Sequence, residues 1–294
     1  MRTLARKTLV GMPLAKAFGL AALASLLGLG GAQAQNKWET IKIATEGAYA
    51  PYNFSGPGGK LDGYEIDLAN DLCRRMNAKC EIVAQDWDGI IPALNARKYD
   101  AIMAGMNATP KRREVIAFSR SYAAGPHGWA AEKTSPLAKL AGTGTKLTFD
   151  KDGEAVKKII EEWKPLLKGK SVGVQGSTTN ANFLEKYFKD VITIREYKTT
   201  EQHDLDLAAG RIDAIFAAHS TMTATLEKPE FKDLQIVGAG LSGDVLGEGV
   251  SVGLRKEDAD LKAKFDTAIQ AAIADGTIEK LTKKWFKLDM TPQS

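Results

Sequence analysis

The segment ALNARKYDAIMA at residues 93–104 has a counterpart in DLAAGRIDAIFA at residues 206–217. Each reads as the end of a helix, a turn carrying basic residues and a short apolar strand. One supersecondary unit therefore occurs twice. A second echo links IKIATEG at 41–47 with SVGVQG at 171–176, each a strand running into a glycine turn. Two α/β lobes of similar plan follow. Strands alternate with helical patterns along the rest of the chain, which favours open, mostly parallel sheets flanked by helices. Ile66, Ala69, Leu72, Cys73 and Met76 share one helical face, as do Leu261, Phe265, Ile269 and Ile273; both stripes are core. The Lys- and Glu-rich segment 137–170 reads as an insertion in the second lobe, with a surface helix around 155–163.

Working outward, the whole chain has 294 residues, 40 basic and 36 acidic, with 44% apolar residues. Residues 1–34 hold four basic residues (Arg2, Arg6, Lys7, Lys16) and no acidic one, so removing them takes the net charge from +4 to zero. Without excess positive charge the remainder lacks the electrostatic footprint of a nucleic-acid binder. The basic start, the apolar run at 17–29 and the small residues of Ala32-Gln33-Ala34 form a secretory-signal pattern. The apolar run is short of the roughly 20 residues a membrane-spanning helix needs. No Cys follows it to carry a lipid, and the exported chain is expected to begin near Gln35. Export to an oxidising compartment lets Cys73 and Cys80 close a structural disulfide. A reactive thiol pair is the alternative, although the usual redox spacing is CxxC. The roughly 260 residues after the leader exceed what one core usually holds, in keeping with two lobes.

In open α/β sheets ligands sit at the carboxyl ends of strands. Glu46 and Tyr49 follow the strand at 41–45, and Ala104, Gly105, Asn107 and Arg112 follow the strand at 101–103. Thr109 suits an N-cap and Pro110 a first helical position, which puts Arg112 in a helical first turn. There it is either an anion-binding group or a solvated cation in the basic run Lys111 to Arg113. After the strand at 172–175, Gln175, Gly176, Thr178 and Thr179 lead into another helix, whose first turn either binds an anion or is simply capped. Trp87 and Tyr49 are either two walls of a pocket or core side chains. The glycine pattern at 238–243 matches a dinucleotide fingerprint in form, but no helix follows it, so it reads as a crossover between lobes. His127, His203 and His219 have no catalytic or metal-ligand spacing, and His203 reads as a surface residue. No cofactor, metal or nucleic-acid partner is expected.

The strings IKIATEGAYAPYNF (41–54), GYEIDLA (63–69), the Cys73–Cys80 pair and AFS (117–119) resemble the periplasmic polar amino-acid-binding proteins of ABC importers, solute-binding protein family 3. ATEGAYAP (44–51), QDWDGIIP (85–92) and IADGTIEKL (273–281) look especially like its octopine- and nopaline-binding branch. The resemblance spans essentially the whole exported chain. It implies the two-lobed type II fold, with residues 35–125 and 246–294 in one lobe, 126–245 in the other, and hinges near 122–128 and 238–247. It implies that Arg112 holds the α-carboxylate with the backbone of Gly105, Asn107 and Thr178. Tyr49 and Trp87 would sandwich an aliphatic stem, and Glu46 would meet a distal guanidinium or ammonium. Ala104, Gln175, Gly176 and Thr179 complete the implied lining. The pattern departs at Ala218, where most cationic amino-acid binders of the family carry an Asp that grips the α-ammonium. Ala218 leaves room for a substituted amine and a second carboxylate, with His219 as a candidate neighbour of that carboxylate.

The expected protein is a monomeric periplasmic receptor that passes an arginine-related amino acid or opine to an ABC permease and catalyses nothing. A general lysine, arginine, ornithine or histidine receptor is the nearest alternative. A dehydratase-like enzyme on the same fold would need an acid or base in the cleft, for which Glu46 and His219 are the candidates. A chemosensory protein would use the same site with another partner.

Overall fold

The structure is a computed structural model that describes residues 37–292; the expected leader at 1–34 lies outside them. The first strand, β1 (Thr40–Thr45), is followed by a three-stranded ribbon of β2 (Ala48–Tyr49), β3 (Asn53–Ser55) and β4 (Leu61–Asp62). Then come α1 (Tyr64–Arg75), β5 (Lys79–Ala84), α2 (Ile90–Asn95), β6 (Ala101–Ile102), α3 (Pro110–Arg113) and β7 (Ala117–Ala123). The next segment comprises β8 (His127–Glu132), β9 (Lys146–Thr148), α4 (Phe149–Leu167), β10 (Ser171–Gln175), α5 (Thr179–Phe188) and β11 (Thr193–Tyr197). It continues through α6 (Thr200–Ala208), β12 (Ala214–Ala218), α7 (His219–Leu226) and β13 (Leu234–Ser242). The chain ends with β14 (Val250–Leu254), α8 (Ala259–Ala274) and α9 (Thr277–Phe286).

Two large sheets result, ordered β5-β1-β6-β14-β7 and β11-β10-β12-β8-β13-β9. The sequence repeat explains their likeness. In each sheet the strand that leads into a glycine turn, β1 or β10, lies parallel between the next two strands of its own unit. The apolar strand of the repeat, β6 or β12, then pairs antiparallel with a strand that has crossed from the other sheet, β14 or β8. The chain passes between sheets at 124–126 and again at 243–249. Residues 238–242, expected in a crossover, instead continue β13 past an irregularity between Val237 and Leu241.

Each sheet has its own apolar core. Trp38, Ile41, Leu68, Leu72, Phe265 and Ile269 fill part of the first. Trp129, Trp163, Phe183, Phe188 and Phe216 form an edge-to-face and stacked aromatic cluster in the second. The segment at 137–170 differs from its expected form. Its helix α4 buries Val156, Ile159, Ile160, Trp163 and Leu167, so it covers the second sheet rather than lying on the surface as an insertion. These residues keep helical spacing on one face, while lysines and glutamates occupy the other.

Cys73 and Cys80 form a disulfide between the end of α1 and β5, the bridge expected from the sequence. Closing so short a loop contributes about 2.5 kcal/mol in the chain-entropy model. Reduction is expected to lower unfolding free energy by about that amount without unfolding the protein at room temperature. Urea melts with and without reductant measure it, and coincident curves would remove the bridge's structural role.

Candidate functional site

The turns after β1, β6 and β10, together with the end of β12, line one cleft between the sheets, whose empty space, part of it open to solvent, is about 440 Å³. Of the residues singled out in the sequence, it brings together Glu46, Tyr49, Trp87, Ala104, Gly105, Asn107, Arg112, Gln175, Thr178 and Thr179. The cleft is closed by contacts from both sides. Gln175 Nε2 donates to Glu46 Oε1 at 2.6 Å, and both Trp87 Nε1 (3.3 Å) and Arg112 Nη2 (3.4 Å) donate to the Ser177 carbonyl.

Arg112 sits where Thr109 and Pro110 put it. The Thr109 hydroxyl accepts from the Arg112 amide at 3.2 Å, and the short α3 starts at Pro110. Its Nη1 donates to the Asn107 carbonyl at 2.9 Å, and its guanidinium carbon lies 5.2 Å from the centre of the Trp87 ring. The residue as a whole is half-buried. Protein nevertheless packs round the guanidinium, and that desolvation lowers its pKa to about 10. Among the described residues no carboxylate pairs with it. A cation in that setting is not a solvated surface charge, and it is able to accept an anion.

Glu46 has the opposite character. Burial raises its carboxyl to about 7, against the lowering effect of the Gln175 hydrogen bond and with smaller upward contributions from Glu65, Asp86 and Asp88. Gln175 is itself fixed by donating to the Lys198 carbonyl at 3.0 Å. The cleft therefore offers an anion-seeking group and, separately, a carboxyl among other acids. Between charged groups stand Tyr49, stacked on Tyr52 at 5.2 Å between ring centres, and the half-exposed Trp87.

Gly105 has φ +61°, and a Cβ there would come within 2.5 Å of the Tyr49 ring, so the chain needs glycine at this point. Its amide differs from the implied role. It donates to Glu65 Oε1 at 2.7 Å, which leaves only the Gly105 carbonyl for a ligand. Glu65, fully buried in the first turn of α1, also accepts from Asn53 Nδ2 at 2.6 Å and from the Tyr122 hydroxyl. It ties the cleft turn to the strand that leaves the first sheet. The Thr178 hydroxyl caps α5 through the Ala181 amide and donates to the Gln175 carbonyl, so Thr178 too has only backbone to offer.

Three expected residues lie elsewhere. Gly176 is outside the cleft lining, and its amide donates to Tyr197. Ala218 lines a narrow adjoining cavity instead of the main one. His219 does not reach either cavity. Its ring lies against Gly128 and Gly240, because it follows Ala218 in the chain and points to the other side. That overturns its placement beside a ligand carboxylate. His203, expected at the surface, is 1% exposed and lines the cleft, with Nδ1 2.9 Å from Asp204 Oδ1. It faces inward because α6 turns that side onto Gly173 of β10. His127, Asn180 and Thr200 also line the cleft and were missed. Asn180 and Thr200 lie in the first turns of α5 and α6, one step beyond the strand ends that mark such a cleft.

Comparison with known proteins bears on the family and the fold. Residues 41–288 match the model of bacterial extracellular solute-binding proteins, family 3. The chain is 52% identical over 281 residues to an octopine-binding periplasmic protein of Rhizobium meliloti, covering 90% of this chain and 95% of that one. It is 36% identical to a lysine/arginine/ornithine-binding periplasmic protein of Escherichia coli, over 86% of this chain and 89% of the other. Among solved structures, a periplasmic His/Glu/Gln/Arg/opine family-binding protein from Silicibacter pomeroyi in complex with lysine superposes with a TM-score of 0.67. That protein is 33% identical, and the match covers 85% of this chain and 99% of that one. With two lobes, a cleft at strand carboxyl ends and a match along most of its length, the chain belongs to the bacterial extracellular solute-binding proteins, family 3.

Proposed function

We propose that the protein is a periplasmic receptor that captures an arginine-derived opine of the octopine type between its lobes and delivers it to an ABC permease without transforming it. The observation that carries this reading is Arg112, a desolvated guanidinium bonded only to carbonyls, which calls for a carboxylate from outside the chain. In this reading Arg112 takes the ligand's α-carboxylate, assisted by backbone amides of Asn107, Thr178 and Thr179. Glu46, held by Gln175, takes the distal guanidinium. Tyr49 and Trp87 flank the aliphatic stem, and Ala104 with the Gly105 carbonyl floors the cleft. The relative at 52% identity is named for octopine, which favours an opine over the plain amino acids named for the relative at 36%.

The monomeric state and the periplasmic location belong to the same reading, as do lobes that hinge at 124–126 and 243–249. An enzymatic role finds little support. Glu46 is hydrogen-bonded by an amide, and His219 faces away from the cleft, so the two cannot act as an acid–base pair on one substrate.

Ligand-free protein is expected to gain about 2.7 kcal/mol of stability with octopine at 100 times its dissociation constant. A thermal-shift series with octopine, nopaline, arginine, lysine and ornithine reads this directly. Absence of a shift with every one of them would discard the proposed ligand class.

A further inference from the structure

His203 is a buried polar side chain on the cleft that the preceding reading does not use. It lies within α6, its ring edge-to-face with Tyr197, and it lines the same cleft as Glu46, Gln175 and Thr200. Among the described residues its Nε2 has no hydrogen-bond partner. Nδ1 lies 2.9 Å from Asp204 Oδ1, close in distance though not aligned as a hydrogen bond, and Asp204 Oδ2 accepts from the Thr225 hydroxyl at 3.1 Å. A bare Nδ1 would set its lone pair against that carboxylate oxygen, so Nδ1 carries the hydrogen and Nε2 of the neutral ring is an acceptor. A buried acceptor without a donor is costly to keep, which calls for a donor from outside the chain.

Chain connectivity tells which part of the cleft this is. Gln175 Nε2 donates both to Glu46 and to the Lys198 carbonyl, and α6 begins two residues after Lys198. The same helix packs against β2, the strand that follows Glu46. Thr200 and His203 therefore stand on the Glu46 side of the cleft, whereas Arg112 bonds elsewhere, to the Asn107 and Ser177 carbonyls.

We infer that His203 is a specificity-determining residue for the distal group of the ligand: its Nε2 accepts from a guanidinium N–H that Glu46 leaves free. The inference rests on the preceding reading, which puts the guanidinium on Glu46, and adds how that cation is told from an ammonium. A guanidinium carries five N–H donors in one plane, of which a carboxylate takes two side by side. In a closed cleft the others need acceptors. A neutral imidazole supplies one without adding a further negative charge that the empty protein would hold unpaired. A lysine-type ammonium is a compact point charge whose donors gather at the carboxylate, so Nε2 stays unfilled. A site built to receive a donor disfavours a ligand that lacks it.

Calorimetric titration of the unmodified protein, His203→Leu and His203→Gln tests it, with octopine and with its lysine-derived counterpart, which differs only in its distal arm. Leucine fills the space without an acceptor, and glutamine returns an oxygen near the place of Nε2. The unmodified protein is expected to prefer octopine by at least about tenfold. In His203→Leu octopine affinity is expected to fall about tenfold to a hundredfold, the worth of a hydrogen bond to a charged group, while the lysine-derived ligand changes by less than about threefold. His203→Gln is expected to recover octopine to within about threefold of the unmodified protein. Retained binding of the lysine-derived ligand shows that the variants fold. A Leu variant that weakens both ligands alike would make His203 a packing residue, and one that keeps the full octopine preference would leave Nε2 to a buried water. Either outcome overturns the assignment, as does an unmodified protein without the preference or a Gln variant no better than Leu. Failure of the unmodified protein to bind either ligand would instead overturn the ligand class on which the assignment rests.

Discussion

Arg112→Ala is expected to weaken ligand binding by about 2–5 kcal/mol, roughly thirtyfold to several thousandfold in dissociation constant, while leaving the ligand-free fold intact. The loss is large because a ligand carboxylate brought into a closed cleft would be left without its counter-charge. The fold is spared because the local structure does not depend on the guanidinium. Thr109 caps α3 through the Arg112 backbone amide, which alanine retains. The side chain contributes only two hydrogen bonds to carbonyls, the longer of them 3.4 Å, and its contact with Trp87. Removing a desolvated cation without an acidic partner offsets those losses, so the melting temperature of the ligand-free protein is expected to stay level or rise slightly. Titration calorimetry and a ligand-free melt decide the matter together. An unchanged dissociation constant would make Arg112 an ordinary surface cation.

The duplicated helix-turn-strand unit carried the fold because it repeats a local choice of backbone and places equivalent strands beside equivalent neighbours in two sheets. The main cleft was legible for a related reason. Strand ends can be found by local pattern, and in a parallel sheet they mark where ligands bind. His127 shows the limit of that reasoning. It starts a strand in the sequence GPHGWAA, with no periodicity to mark it, and reaches the site only because antiparallel pairing sets it against Ala218, ninety-one residues further along the chain. Likewise His203 and Asp204 look polar and exposed in sequence, yet α6 turns them onto β10 and α7, where Asp204 accepts from the Thr225 hydroxyl at 3.1 Å. Composition misled at α4 as well, since charged residues on its outer face masked an apolar stripe that the helical period would have exposed. Glu65 carries no such signal in sequence beyond its place in a family-like string, although a carboxylate in the first turn of a buried helix needs donors, and one of them is the Gly105 amide.

Affinity for a guanidinium-bearing ligand is expected to rise with pH through neutrality, and Glu46→Gln is expected to flatten that rise. Burial, the largest cause, lifts the Glu46 carboxyl to about 7, so near pH 7 about half of the ligand-free molecules hold its proton. A guanidinium beside the carboxyl favours the charged form and pulls its pKa down. Binding below pH 7 must therefore expel a proton, and affinity falls by up to about tenfold per pH unit until the lowered bound-state value is reached. Above pH 7 the carboxylate is already charged and the curve levels off. The stability of the ligand-free protein follows the opposite sign. A folded-state value above the ordinary carboxyl value of 4.5 means that the folded state holds the proton more tightly than the unfolded chain, so Glu46's contribution is most favourable below that value and declines until pH passes about 7. Ligand binding reverses this trend, because the guanidinium stabilises the charge that the empty fold disfavours. Calorimetry at pH 7 in buffers of different ionisation enthalpy should therefore show release of about half a proton per ligand bound, a signal that Glu46→Gln removes along with about 1.5–3 kcal/mol of affinity. A dissociation constant that is level between about pH 5.5 and pH 8, or a Gln variant that keeps the slope, would separate Glu46 from the ligand's cation. The distal selectivity of the cleft would then have to come from Asp86 and Asp88, whose charges reach Glu46 from the turn that carries Trp87.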